Sequence, residues 1–149
     1  MGRVLKLVIG VLLVAVVLIQ LVPVERTNPP VTGEVMAPDP VMEVLRNSCF
    51  DCHSNETFWP WYSRVAPVSW LVAEDVEEGR RHLNFSEWQS LTDEDRADAM
   101  EEIWEKIEDG AMPLPIYLRM HPEAVLTEPQ RDVLLRWLEG RPQAFPDWN

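Results

Sequence analysis

The chain reads as an all-α protein, a membrane-spanning helix followed by one small helical domain. Three observations carry that expectation. Apolar residues recur at helical spacing while strand-like alternation is nearly absent. Helix start and stop signals bracket the periodic stretches, with Asp39-Pro40, Thr92 and Thr127 at the starts and Gly110 and Gly140 at the stops. A nineteen-residue apolar run, Val4–Val22, lies at the N-terminus with only Lys6 and Gln20 breaking it.

That run comes first. At 1.5 Å per residue a helix of this length covers about 28 Å, close to the thickness of a hydrocarbon core. Arg3 and Lys6 precede or open it, which orients the N-terminus to the cytoplasm and the rest of the chain to the outside of the cytoplasmic membrane. A cleaved signal peptide is the alternative. Gln20-Leu21-Val22-Pro23-Val24 has no small residues at Ala-x-Ala spacing, so the segment 1–22 reads as an uncleaved anchor. Prolines at 23, 29, 30, 38 and 40 then make 23–40 a stiff, extended linker, either a tether or a wrap over the domain.

The domain itself is 41–149. Its first helix takes Asp39 as N-cap and Pro40 at N1, and presents Val41, Met42, Val44 and Leu45. The aromatic, proline-rich turn Phe58-Trp59-Pro60-Trp61-Tyr62 follows. A second helix from about Pro67 to Leu83 carries Val68, Leu71, Val72, Val76 and Leu83 on one side. The third begins after Thr92, with Asp93, Glu94 and Asp95 at its positive end, and stripes Met100, Ile103, Trp104 and Ile107 at i, i+3, i+4, i+7. The last opens on a capping box of Thr127 and Gln130, runs through Val133, Leu134, Trp137 and Leu138, and stops at Gly140.

The first domain helix leads directly into Cys49-Phe50-Asp51-Cys52-His53, a Cys-x-x-Cys-His run that holds the only two cysteines. This is the attachment pattern of haem c: two thiols bond the porphyrin vinyl groups and the adjacent imidazole binds iron. Two intervening residues let one turn of chain reach both vinyl edges and leave the next residue under the macrocycle. A thioredoxin-like pair would expect a preceding strand in a βαβ unit. A structural zinc site would need a second ligand pair, and His82 and His121 are isolated. A disulfide across two residues would close too small a loop to stabilise much. Cys49 and Cys52 are therefore the expected thioether residues and His53 the proximal iron ligand, with one haem per chain. A helix into the motif, further helices and a terminal apolar helix follow the order of a class I cytochrome c.

A second axial ligand sets much of a haem's potential. Met100 lies on the helical stripe and reads as core. Met42 is tied to the proximal side and Met36 to the linker. Met112 differs: it sits in Gly110-Ala111-Met112-Pro113-Leu114-Pro115, a proline-stiffened loop 59 residues beyond His53. Such a loop presents a thioether with little freedom to lose and few hydrogen-bond donors against a porphyrin. Met112 is the expected distal ligand, with His82, Met120 and His121 as alternatives. Trp59, Trp61, Trp70 and Trp88 could line the pocket or belong to an ordinary core.

The strings Asn47–Thr57, Trp59–Ser63, Ala66–Trp70, Asp75-Val76, Glu78-Gly79-Arg80, Asn84–Trp88, Met112–Pro115 and His121–Ala124 resemble the bacterial haem-binding domain family, a cytochrome c-like group. The resemblance covers nearly all of the chain after the anchor. It implies an exported monohaem domain with Cys49, Cys52 and His53 as haem residues, and Met112 falls on the family's Met-Pro segment.

Without Arg3 and Lys6 the chain holds 11 basic against 25 acidic residues, a net charge of −14. That disfavours nucleic acid and anionic headgroups and favours a redox partner with a basic docking patch. The expected function is a membrane-tethered electron carrier, not an enzyme. A haem-based sensor or small peroxidase is the alternative, and either would need an open or displaceable distal position.

Overall fold

The computed structural model describes residues 2–140. The end of the expected domain, 141–149, lies outside the described residues. Among the described residues there are seven helices and no strand: α1 (Gly2–Ile19), α2 (Asp39–Ser48), α3 (Phe50–His53), α4 (Val68–His82), α5 (Asp93–Glu108), α6 (Pro115–Leu118) and α7 (Glu128–Leu138). Short 3₁₀ turns at Trp61–Arg64, Trp88–Ser90 and Pro122–Ala124 connect them. The expected all-helical class with an apolar N-terminal helix is what the chain adopts.

Local chemistry accounts for most boundaries. Thr92 caps α5 by accepting from Asp95 N at 3.1 Å. Gly110 takes a φ of 68° just beyond that helix, a left-handed value that favours glycine. Thr127 N donates to Gln130 Oε1 at 2.9 Å in the expected capping box. One cap is shifted. Val41 N and Met42 N both donate to Pro38 O, at 2.9 and 3.0 Å, so Pro38 takes the N-cap place expected for Asp39. Asp39 contributes its charge in the first turn and no side-chain cap.

α2 packs on both α7 and α3, and α3 packs on α4. The core is Val41, Val44 and Leu45 of α2, Phe50 of α3, Val133 and Leu134 of α7, and Ile107 of α5, joined by Val35, Phe85 and Trp88 from outside the helices. Phe85 lies between Phe50 and Trp88, with centroids 5.5 and 5.8 Å away. Each fully buried Leu or Phe is worth about 1.5–3 kcal/mol of transfer free energy, so this cluster is what holds the motif-bearing helices together.

The segment 23–40 wraps. Thr32 N and Gly33 N donate to Ser86 O, Val35 N donates to Phe85 O, and Gln89 N returns a bond to Gly33 O. Arg80 of α4 completes the attachment, with Nη1 on Thr27 O, Nη2 on Asn28 Oδ1 and Thr57 Oγ1, and Nε on Ser54 O at 2.7 Å. Arg80 is thus a staple between the strap, α4 and the chain just after the Cys-x-x-Cys-His run.

The apolar face expected on the second domain helix is only partly inward. Val76 is buried, but Val68 and Leu71 are exposed at the first turns of α4. The helix is covered over its later turns, where α3 packs, and its N-terminal end projects past the core.

Candidate functional site

Cys49 closes α2, its N–H donating to Leu45 O at 2.9 Å, and the backbone then breaks into the single turn α3. Cys52 N and His53 N both donate back to Cys49 O, at 3.2 and 2.9 Å. Phe50 drives the turn into the core. With that side chain inward, Cys49, Cys52 and His53 are left on the wall of one cavity of about 390 Å³.

Opposing polarity marks that cavity. Leu83, Phe85, Ile103, Ile107, Leu114 and Leu126 supply apolar wall, and Asp51, Asp75, Glu78, Glu102 and Lys106 supply charged groups beside the imidazole of His82. Its volume is within the ~300–1,000 Å³ usual for ligand and cofactor pockets. Met112 lines it as well, together with Pro113. Residues far apart in sequence, 49, 52, 53 and 112, thus meet at one place.

The imidazole of His53 is oriented from behind. Its Nδ1 lies 3.0 Å from Gly79 O and 3.1 Å from Leu83 O. Carbonyls only accept, so Nδ1 carries the proton and Nε2 keeps its lone pair free for a metal. Burial also lowers the basicity of the ring, although the same backbone bonds oppose the shift. A neutral, singly protonated imidazole is the form that ligates iron.

Gly79 lets α4 approach closely enough to do this. A Cβ there would lie 2.6 Å from Cys52 O, a backbone atom that cannot step aside. Gly79→Ala is therefore expected to destabilise the holoprotein by a net 1–3 kcal/mol or so, despite alanine's better helix propensity. Chemical denaturation followed at the haem absorbance checks it, and an unchanged midpoint would disprove the tight approach.

Cys49 and Cys52 form no disulfide with each other. Burial, with the neighbouring Cys52, pushes the Cys49 thiol up to about 12. Burial, with Asp51 and Asp75, does the same for Cys52, which also rises to about 12 despite Arg80. A dithiol redox site needs the reverse, a depressed thiol that attacks as thiolate. These thiols are poor candidates for thioredoxin-like chemistry.

The rival distal candidates are placed differently. His121 stacks on Tyr117 with centroids 4.2 Å apart, and both its nitrogens are engaged, Nε2 with Tyr62 Oη at 2.6 Å and Nδ1 with Glu123 at 3.0 Å. Neither His121 nor Met120 lines the cavity. His82 does line it, but is largely exposed and lies 3.8 Å from Glu78 of its own helix. Met100 packs against the core and Met36 is exposed. Met112 is held by its loop: Ala111 N and Met112 N both donate to Lys106 O, at 2.9 and 3.0 Å.

Of the two alternatives for the tryptophans, pocket lining or ordinary core, the first is not seen and the second holds for Trp88. None of Trp59, Trp61, Trp70 and Trp88 lines this cavity. Trp88 is core, Trp61 is exposed, and Trp59 and Trp70 border a separate groove beneath the strap. Phe85 and Tyr117 are the aromatic residues at the cavity.

Sequence reasoning gave no role to the groups that fix the chain around the motif. Asp51 accepts from Phe58 N and from Tyr117 Oη, both at 2.9 Å, and so ties the motif to α6. Asn55, fully inside the fold, receives Asn84 Nδ2 at 3.0 Å and donates to Ser86 Oγ and Pro30 O. Phe85 N donates to His53 O at 2.7 Å. The only sequence signal for them was their clustering in the strings shared with the family.

Residues 14–140 match the haem-binding domain family. The chain belongs to that family, and haem is the group its family description gives it to bind. No curated protein and no solved structure matches the chain. The cavity fits a haem by its own chemistry: apolar walls, paired thiols and an imidazole with a free Nε2.

Proposed function

We propose that the chain is a monohaem c-type cytochrome, tethered to the cytoplasmic membrane by α1, with the haem domain on the outer side, and that it carries electrons and does not catalyse a reaction. The observation that carries this reading is the convergence of Cys49, Cys52, His53 and Met112 on one cavity with Nδ1 of His53 already committed to Gly79 O and Leu83 O. Cys49 and Cys52 would hold the macrocycle by thioethers, one haem per chain. His53 would offer Nε2 to the iron, and Met112 would offer its thioether as the second ligand.

Haem iron supplies one-electron chemistry without proton or atom transfer at the metal. The residues need only hold two ligands unchanged in both oxidation states. α4, through Gly79 and Leu83, holds the proximal ring; the Lys106 carbonyl, through Ala111 and Met112, holds the distal loop. With His53 and Met112 both engaged, peroxide or a gas would find no open site. The acidic domain surface is suited to a redox partner with a basic docking patch, an attraction that weakens with salt.

The absorption spectrum of purified holoprotein, oxidised and reduced, tests the reading. Low-spin haem in both states, no carbon monoxide adduct, and reversible reduction are expected. A five-coordinate ferrous spectrum that shifts on adding carbon monoxide would overturn the carrier assignment in favour of a sensor or peroxidase.

A further inference from the structure

The exposed apolar end of α4 has no role in the haem cavity. Trp61 is 72 % exposed and Leu71 53 %, with Val65 and Val68 beside them in sequence at more than two-fifths each. They come from the 3₁₀ turn Trp61–Arg64, the residue that caps it and the first turns of α4. Scattered apolar residues on a surface need no explanation. This group is different because of what it is bonded to.

Gln20, the first residue after α1, pairs with Ala66 through both halves of its side-chain amide. Its Nε2 donates to Ala66 O at 3.2 Å, and Ala66 N donates to its Oε1 at 2.9 Å. Ala66 lies between Val65 and Val68. The eighteen residues of α1 cover about 27 Å, one hydrocarbon thickness, so a membrane-spanning α1 leaves Gln20 at the lipid–water boundary. The pair bonds then bring Val65 and Val68 to the same level. Leu21 and Val22, also exposed, continue the apolar surface from the helix end towards them.

We propose that the haem domain rests on the bilayer that holds α1, with Trp61, Val65, Val68 and Leu71 seated in the interfacial layer of the lipid. The inference rests on the reading of α1 as a membrane helix. Trp61, edge-on to Tyr62 at 5.8 Å, has the amphipathic aromatic character favoured at that depth. Arg64, on the same turn, can reach the headgroups while its stem covers apolar surface. The domain's net negative charge excludes attraction to anionic headgroups as the cause, so apolar insertion holds the contact and salt does not release it.

Full-length holoprotein in single-copy nanodiscs of phosphatidylcholine provides the test, with a fraction of the lipid carrying a diazirine near the headgroup end of its acyl chain. After irradiation, lipid adducts are mapped by mass spectrometry. Adducts are expected in α1 and in the segment Trp61–Leu71, persisting at high salt, and reduced several-fold in that segment by Trp61→Ser with Leu71→Ser while those in α1 remain. Adducts confined to α1 would overturn the resting contact and leave the anchor reading intact. An absence of adducts in α1 as well would overturn the anchor reading and the contact with it.

Discussion

Haem is expected to stay on the polypeptide after acid–acetone extraction of holoprotein made in a host with haem-attachment machinery. The reason is chemical. In the proposed attachment each thiol of Cys49 and Cys52 would add across a vinyl group, forming one C–S bond and passing its hydrogen to the other vinyl carbon, with no oxidant consumed. Unfolding would break a His53 bond to iron but leave such thioethers intact. Complete retention in the wild type, partial weakening in Cys49→Ala or Cys52→Ala, and complete loss in the double variant are the expected results. The double variant should also be markedly less stable, since the macrocycle fills an apolar cavity that a domain of this size can ill leave empty. Wild-type protein stripped of all its haem would overturn covalent attachment while leaving haem binding standing.

Met112→Ala is expected to remove the sulfur-to-iron charge-transfer band of the ferric protein entirely. It should also admit carbon monoxide or cyanide and lower the reduction potential, because a thioether favours ferrous iron. Met112 is the methionine whose loop the structure brings to the cavity, while Met100 is packed in the core cluster. Met120→Ala and His121→Ala should leave the spectrum unchanged, since neither lines the cavity. His82→Ala is the discriminating control, because His82 does border it. If His82→Ala abolishes the low-spin spectrum and Met112→Ala preserves it, the distal assignment passes to the histidine.

How much of this was legible beforehand depended on how local the cause was. Thr92, Gly110, Thr127 and Gln130 act within one turn of themselves, and the elements they bound lie where their chemistry puts them. The Cys-x-x-Cys-His run is equally local. Val68 and Leu71 misled because helical spacing states which residues share a face but not where the neighbouring helix ends. The tryptophans stayed undecided for a similar reason: aromatic side chains are drawn to any apolar surface, and Trp88 found the core while Trp59 and Trp70 found the groove below the strap. Arg80, Asn55 and Gly79 could not have been assigned from local pattern, since each acts on backbone 20 or more residues distant, at Ser54, Pro30 and Cys52.

The strap has a consequence for encounter. A free stretch of eighteen residues, Pro23–Pro40, reaches about 60 Å when extended, and on such a leash the haem could sweep a wide hemisphere to meet partners far from its anchor. Here the slack has been taken up. Arg80 grips Thr27 and Asn28, Asn55 holds Pro30, and residues 32–35 are bonded to Ser86 and Phe85. With α1 in a bilayer, the chain is moored and cannot cast out. A haem in its cavity would then keep one height and one heading above the membrane, and a redox partner would have to reach that spot, by drifting in the same sheet of lipid or by landing beside it.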